Sequence, residues 1–112
     1  MDIVKATTDY WRDVLRLWIE PHPGPFGADV QDFDIVIWRL LDKDDEPTGD
    51  PVGVEIDGFL GFDAWDGLPE LPLLWQLDGW EPLPLAELLK RLQQKLRAQA
   101  QAPASSPGRA AS

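Results

Sequence analysis

The chain has 112 residues, 44% hydrophobic and 27% charged, with 20 acidic against 10 basic side chains and a formal net charge of −10. That length fits one domain with its own core. The lack of cysteine excludes disulfides and cysteine zinc sites, no apolar run approaches the roughly 18 residues that cross a bilayer, and the acidity argues against a general nucleic-acid binder.

The first residues, Met1-Asp2-Ile3-Val4-Lys5, lack the basic-then-apolar layout of a secretory signal, so cytoplasmic residence is the expectation. Thr8 is a suitable cap for a helix over residues 9–19, where Tyr10, Trp11, Val14, Leu15, Trp18 and Ile19 recur at three- and four-residue steps. Asp9 and Asp13 suit the positive end of its dipole, and Pro21-His22-Pro23-Gly24-Pro25 stops it. A strand fits this stretch less well, because Arg12 and Asp13 stand side by side and break the alternation. Residues 26–32 read as a loop.

The run 33–41 is rich in β-branched and aromatic residues and apolar at both parities, which predicts a central strand covered on both faces. Residues 42–51 form a polar turn region with Pro47, Gly49 and Pro51 as breakers. Val52, Val54 and Ile56 then alternate with Gly53, Glu55 and Asp57, the period of a half-buried strand. Asp57-Gly58 is a tight-turn dipeptide, and Phe59-Leu60-Gly61-Phe62 begins a third short strand. Connections this short favour an antiparallel meander. Residues 63–84 are rich in proline and tryptophan and read as an extended segment anchored by Trp65, Leu71, Leu74, Trp75 and Trp80.

Pro84 then opens a helix striped by Leu85, Leu88, Leu89, Leu92 and Leu96, with Glu87, Lys90, Arg91, Gln94, Lys95 and Arg97 turned away. Its stripe covers about two heptads, too few for a coiled coil. The fold class is therefore α+β: a small antiparallel β-meander with an N-terminal helix and a C-terminal leucine-striped helix packed on the sheet. One domain spans 1–97, and an Ala/Gln/Ser/Pro-rich tail over 98–112 has too little to bury and is expected to be disordered. Charge is divided along the chain. Residues 1–82 hold 19 acids and 5 bases, a net of −14, and residues 83–112 one acid and 5 bases, a net of +4. A basic helix face beside an acidic sheet accounts for this split.

Sites for chemistry are few. Asp42, Asp44 and Glu46 alternate as in a calcium loop, but Pro47 stands where such a loop needs glycine and Gly53 where it needs its closing glutamate. Asp57, Asp63 and Asp66 form a conceivable carboxylate cluster, yet each lies at or near a turn glycine, where aspartate bonds its own backbone. His22 is the only histidine, and Ser105, Ser106 and Ser112 are the only serines, all in the tail. A serine–histidine hydrolase is excluded on that count. No phosphate-binding glycine loop occurs, and no metal or cofactor is expected.

Six tryptophans in this length is a high density. Trp11, Trp18 and Trp38 fall on predicted core faces. Trp65, Trp75 and Trp80, with Leu71, instead offer an apolar interface, since tryptophan is enriched at binding hot spots. The segment Asp34-Ile35-Val36-Ile37-Trp38-Arg39-Leu40 followed by Val52-Gly53-Val54-Glu55-Ile56 resembles the DUF2283 family of small uncharacterised bacterial proteins, over residues 33–57. The resemblance implies a small β-meander unit and carries no functional residue.

Three functional readings follow in order. The first is a non-enzymatic protein–protein interaction module of a bacterial type, using Trp65, Leu71, Trp75 and Trp80 or a sheet edge, with a second copy of itself among its candidate partners. In the second, an acidic inhibitor or antitoxin-like protein captures a basic partner through Asp42, Asp44, Asp45, Glu46 and Asp50. A carboxylate- or metal-dependent enzyme using Asp57, Asp63 and Asp66 comes third.

Overall fold

Arg12 and Asp13 decide the N-terminal part of the fold. The computed structural model describes residues 1–21 and 24–101, and in it both residues take left-handed backbone, with φ of 52° and 61°. Two consecutive residues of that kind make the two-residue hairpin turn whose twist matches that of its flanking strands. They join β1 (Asp2–Trp11) to β2 (Val14–Ile19), which pair antiparallel with Trp11 opposite Val14 and Tyr10 opposite Leu15. The expected helix over 9–19 is therefore corrected to a hairpin. Its supposed single stripe is divided between two sheet faces: Tyr10, Leu15 and Ile19 pack into the core, while Trp11, Val14 and Trp18 stand on the other face. The adjacent polar pair that spoils a strand's alternation is the turn itself.

β3 (Phe26–Asp32) occupies the stretch expected to be a loop, and pairs with β4 (Ile35–Leu41), which in turn pairs with β5 (Pro47–Asp57). β3 combines a weak composition with period-two alternation of Phe26, Ala28 and Val30, and Asp29 is tied to Arg39 of β4 at 2.7 Å. Gly58 turns the chain with φ 65°. The expected third strand at Phe59 is instead a 3₁₀ turn, Phe59–Gly61, because Asp13 captures it. The Asp13 carbonyl accepts from the Phe59 amide at 3.0 Å, and its Oδ1 accepts from the Leu60 amide at 2.9 Å and the Tyr10 hydroxyl at 2.8 Å.

A second 3₁₀ turn, Trp65–Gly67, leads to β6 (Leu73–Gln76), β7 (Leu83–Pro84) and α1 (Leu85–Gln101). β6 lies parallel to β1, with Trp75 opposite Val4. The sheet is thus seven-stranded and mixed, in the order β3-β4-β5-β2-β1-β6-β7, rather than an antiparallel meander between two helices. The parallel pairing explains the difference. A long chain excursion brings β6 back beside β1, and strand spacing along the sequence does not reveal that return.

Two rows of aliphatic side chains cross the sheet. Leu15, Ile56 and Ile35 are in register, as are Leu17, Val54 and Ile37, and all six are fully buried or within 1% of it. On them pack Phe59, Phe62, Trp75 and the α1 leucines Leu85, Leu88, Leu89 and Leu92. Each buried leucine or isoleucine contributes about 1.5–3 kcal/mol of transfer free energy. α1 runs through Gln101, past the boundary at 97, and the rest of the tail expected over 98–112 lies outside the described residues, as does His22.

One buried polar side chain fastens the helix. The Gln93 Nε2 donates to the carbonyls of Phe59 at 2.8 Å and Phe62 at 2.7 Å. One turn on, the Arg97 Nε donates to the Leu60 carbonyl at 2.6 Å. Three carbonyls of one loop are thereby satisfied by two helix side chains. Among the described residues no helix is long and apolar enough to cross a membrane.

Candidate functional site

The proline-rich segment after β5 lies along one flank of α1 and leaves a groove beside it. Pro69 and Pro72 fix their own φ and extend the residues before them, so the chain bridges from the Trp65–Gly67 turn to β6 without collapsing onto the helix. The groove has a volume of about 970 Å³ and is lined by Trp65, Leu68, Leu71, Leu73 and Leu85, together with Ala86 of the first helical turn. Asp66, Glu70 and Glu87 supply negative charge at its rim, and Lys90 a single positive one. Trp65 is half-buried. It meets the Phe62 ring edge-on at 4.7 Å, and the Lys90 Nζ lies 5.5 Å from its ring centre.

The sequence-predicted tryptophan patch is split three ways. Trp75 is completely buried in the core and has no surface to offer. Trp65 and Trp80 lie on opposite flanks of α1, since Lys90 covers one ring and Lys95, at 5.9 Å, the other. Five residues along a helix turn the side chain by about 140° from its starting direction. The Gln76 amide donates to the Trp80 carbonyl at 2.9 Å, and the neighbouring Glu81 carboxylate pairs with Arg91 at 2.7 Å. Only Trp65 and Leu71, of the four residues singled out, share the groove. Much of the basic helix face is engaged within the chain, through Lys90, Arg91, Lys95 and Arg97.

The acidic run spans the exposed turn between β4 and β5 and, at Asp50, the first part of β5. Asp42 Oδ1 accepts from the amides of Asp44 at 2.8 Å and Glu46 at 3.0 Å, and Asp45 adopts φ 60°. One carboxylate therefore shapes the turn, while Asp44, Asp45, Glu46 and Asp50 are exposed around it. Asp57, Asp63 and Asp66 are exposed, and among the described residues no three acidic or histidine side chains are grouped to hold a metal ion.

A second apolar surface is not legible as such in the sequence. Trp18 and Trp38, expected in the core, lie on the sheet face opposite α1. They flank Gly53 in register, and with Phe26 they form a cluster with ring centres 5.2–5.9 Å apart. Gly53 makes this possible. A Cβ there would meet Trp18 Cε3 at 2.6 Å and the Leu17 carbonyl at 2.7 Å. Parity carried the signal, since Trp18 is out of phase with Leu15 and Leu17, and Trp38 with Ile35 and Ile37. Trp11 stands on the same face, 66% exposed. Comparison of the chain with known protein families, with curated proteins and with solved structures yields no match.

Proposed function

We propose that this chain is a non-enzymatic protein–protein interaction module whose groove beside α1 receives an apolar segment of a partner. The observation that carries this reading is the groove itself, with a leucine and tryptophan lining, an acidic rim and a volume of about 970 Å³. Its chemistry suits binding. An apolar lining gains from desolvation, and rim carboxylates select against acidic partners. A cytoplasmic setting accords with the lack of cysteine. The rival reading, capture of a basic protein by the acidic loop, draws on the exposure of Asp44, Asp45, Glu46 and Asp50.

Ala86→Arg is the discriminating variant, because a long side chain there fills the groove without opening a cavity in the core. The full chain, used as bait in native lysate, is expected to retain a protein that the variant does not retain. Equal capture by wild type and Ala86→Arg removes the groove from the reading. Loss of capture on neutralising Asp44, Asp45, Glu46 and Asp50 alone transfers the function to the acidic loop.

A further inference from the structure

The two edges of the sheet are built differently. β7 is two residues long, contains Pro84 and passes straight into α1, so it offers little to an added strand. β3 is seven residues long, Phe26–Asp32, contains neither proline nor lysine, and ends the sheet with β4 as its single neighbour among the described residues. Its hydrogen-bonding phase follows from one contact. The Leu41 amide donates to the Pro25 carbonyl at 3.0 Å, and antiparallel pairs alternate between bonded and non-bonded. Gly27 and Asp29 therefore direct their backbone groups to β4, and Ala28 and Val30 direct theirs outward.

The side chains at this edge sort by face. Ala28 and Val30 stand on the face away from α1, both exposed, Val30 by 67%. They continue the apolar surface formed by Val36 and Trp38 of β4. Asp29, which pairs with Arg39 at 2.7 Å, and Asp32, whose Oδ1 accepts from the Phe33 amide at 2.7 Å, carry negative charge on the same strand, and residues 26–57 as a whole hold 10 acids against 2 bases, a net of −8. A second copy paired edge to edge would set −8 against −8, which disfavours it. A cationic partner faces no such penalty.

We propose that β3 is a strand-addition edge that takes an extended segment of another protein in which apolar and cationic residues alternate. The apolar residues extend the surface of Ala28, Val30 and Trp38, the cationic ones lie toward Asp29 and Asp32, and the backbone bonds Ala28 and Val30. This edge is separate from the groove beside α1, and its test is separate as well.

The probe is a capped seven-residue peptide of alternating valine and lysine, titrated into the full chain and followed by amide chemical shifts and exchange. Expected are saturable shifts centred on Ala28 and Val30, slowed exchange of those two amides, and affinity that falls with salt. Ala28→Pro removes an outward amide without touching the β3–β4 ladder. It should lower affinity about tenfold or more while leaving the urea midpoint near wild type. Should that variant misfold, Val30→Lys, which adds like charge beside the peptide, should lower affinity similarly. The proposal is overturned by equal binding of a peptide with its valines and lysines in separate blocks, by shifts centred on Trp65 and Leu71, by unchanged affinity in the folded variants, or by no binding at millimolar peptide. Self-association of the wild type through β3 on concentration also overturns it, in favour of a second copy.

Discussion

Gln93 is the side chain whose replacement tests the packing scheme most directly. It is 5% exposed, and its one amide nitrogen serves the carbonyls of Phe59 and Phe62. Gln93→Leu keeps the volume and removes both donors. Phe59 retains a bond from the Phe62 amide at 3.2 Å, so the main penalty is the Phe62 carbonyl, stranded at a cost of about 1–3 kcal/mol and partly offset by the added apolar surface. With a urea m-value of about 1–3 kcal/mol/M, a 2 kcal/mol loss lowers the midpoint by roughly 1 M. Gln93→Glu should cost more at neutral pH, because a carboxylate then faces two carbonyl oxygens. Burial there raises the folded pKa of the introduced carboxyl above its unfolded value of about 4.3. The variant's deficit should therefore be smallest below that value and grow as pH rises through the folded pKa. Urea titrations followed by tryptophan fluorescence near pH 4 and pH 7 measure both effects. A Gln93→Leu variant within about 0.5 kcal/mol of wild type, or a Gln93→Glu deficit independent of pH, would refute the anchoring role.

Two further outcomes are expected. Burial, then the hydrogen bond to Asp13 and its charge, push the Tyr10 hydroxyl above its ordinary pKa of 10.0. The neutral form is favoured on folding, so this stabilisation is present below about pH 10 and is lost as pH rises through the folded pKa. Tyr10 is the single tyrosine, so an ultraviolet titration reads it alone, and a midpoint at or below the ordinary value contradicts the half-buried pairing with Asp13. Gly53→Ala should destabilise by about 1–3 kcal/mol through overpacking, since the new Cβ meets both Trp18 and the Leu17 carbonyl. A shift in tryptophan emission should accompany the loss, and an unchanged urea midpoint counts against the close approach.

How much was legible depended on whether the signal was local. The leucine stripe of α1 is a period of 3.6 within one segment, and Leu85, Leu88, Leu89 and Leu92 are the buried face. The alternation at Val52, Val54 and Ile56 likewise marks β5, with all three buried. Residues 9–19 failed because two short strands around a two-residue turn place apolar residues at helix-like intervals, and Arg12 and Asp13 carry none of the glycine or asparagine that usually marks such a turn. β3 failed because an edge strand with one partner tolerates Gly27, Asp29 and Asp32, a composition that by itself reads as a loop. At the site, Trp65 and Leu71 were legible as apolar residues in a proline-rich segment. Nothing in one dimension distinguishes the buried Trp75 from them.

By itself the sequence determined a single acidic chain without cysteine, its aliphatic strands, its turn at Asp42 and its amphipathic last helix. Those follow from charge, local periodicity and turn chemistry within a few residues. Tertiary structure decided the return of β6 beside β1, the separation of Trp65 from Trp80 by α1, the capture of the Phe59–Gly61 turn by Asp13 and Gln93, and the open edge at β3. The reason is distance. Gln93 meets Phe62 across 31 residues and Asp13 meets Leu60 across 47. Such pairings depend on which strand neighbours which, a global property of the sheet that no local pattern encodes.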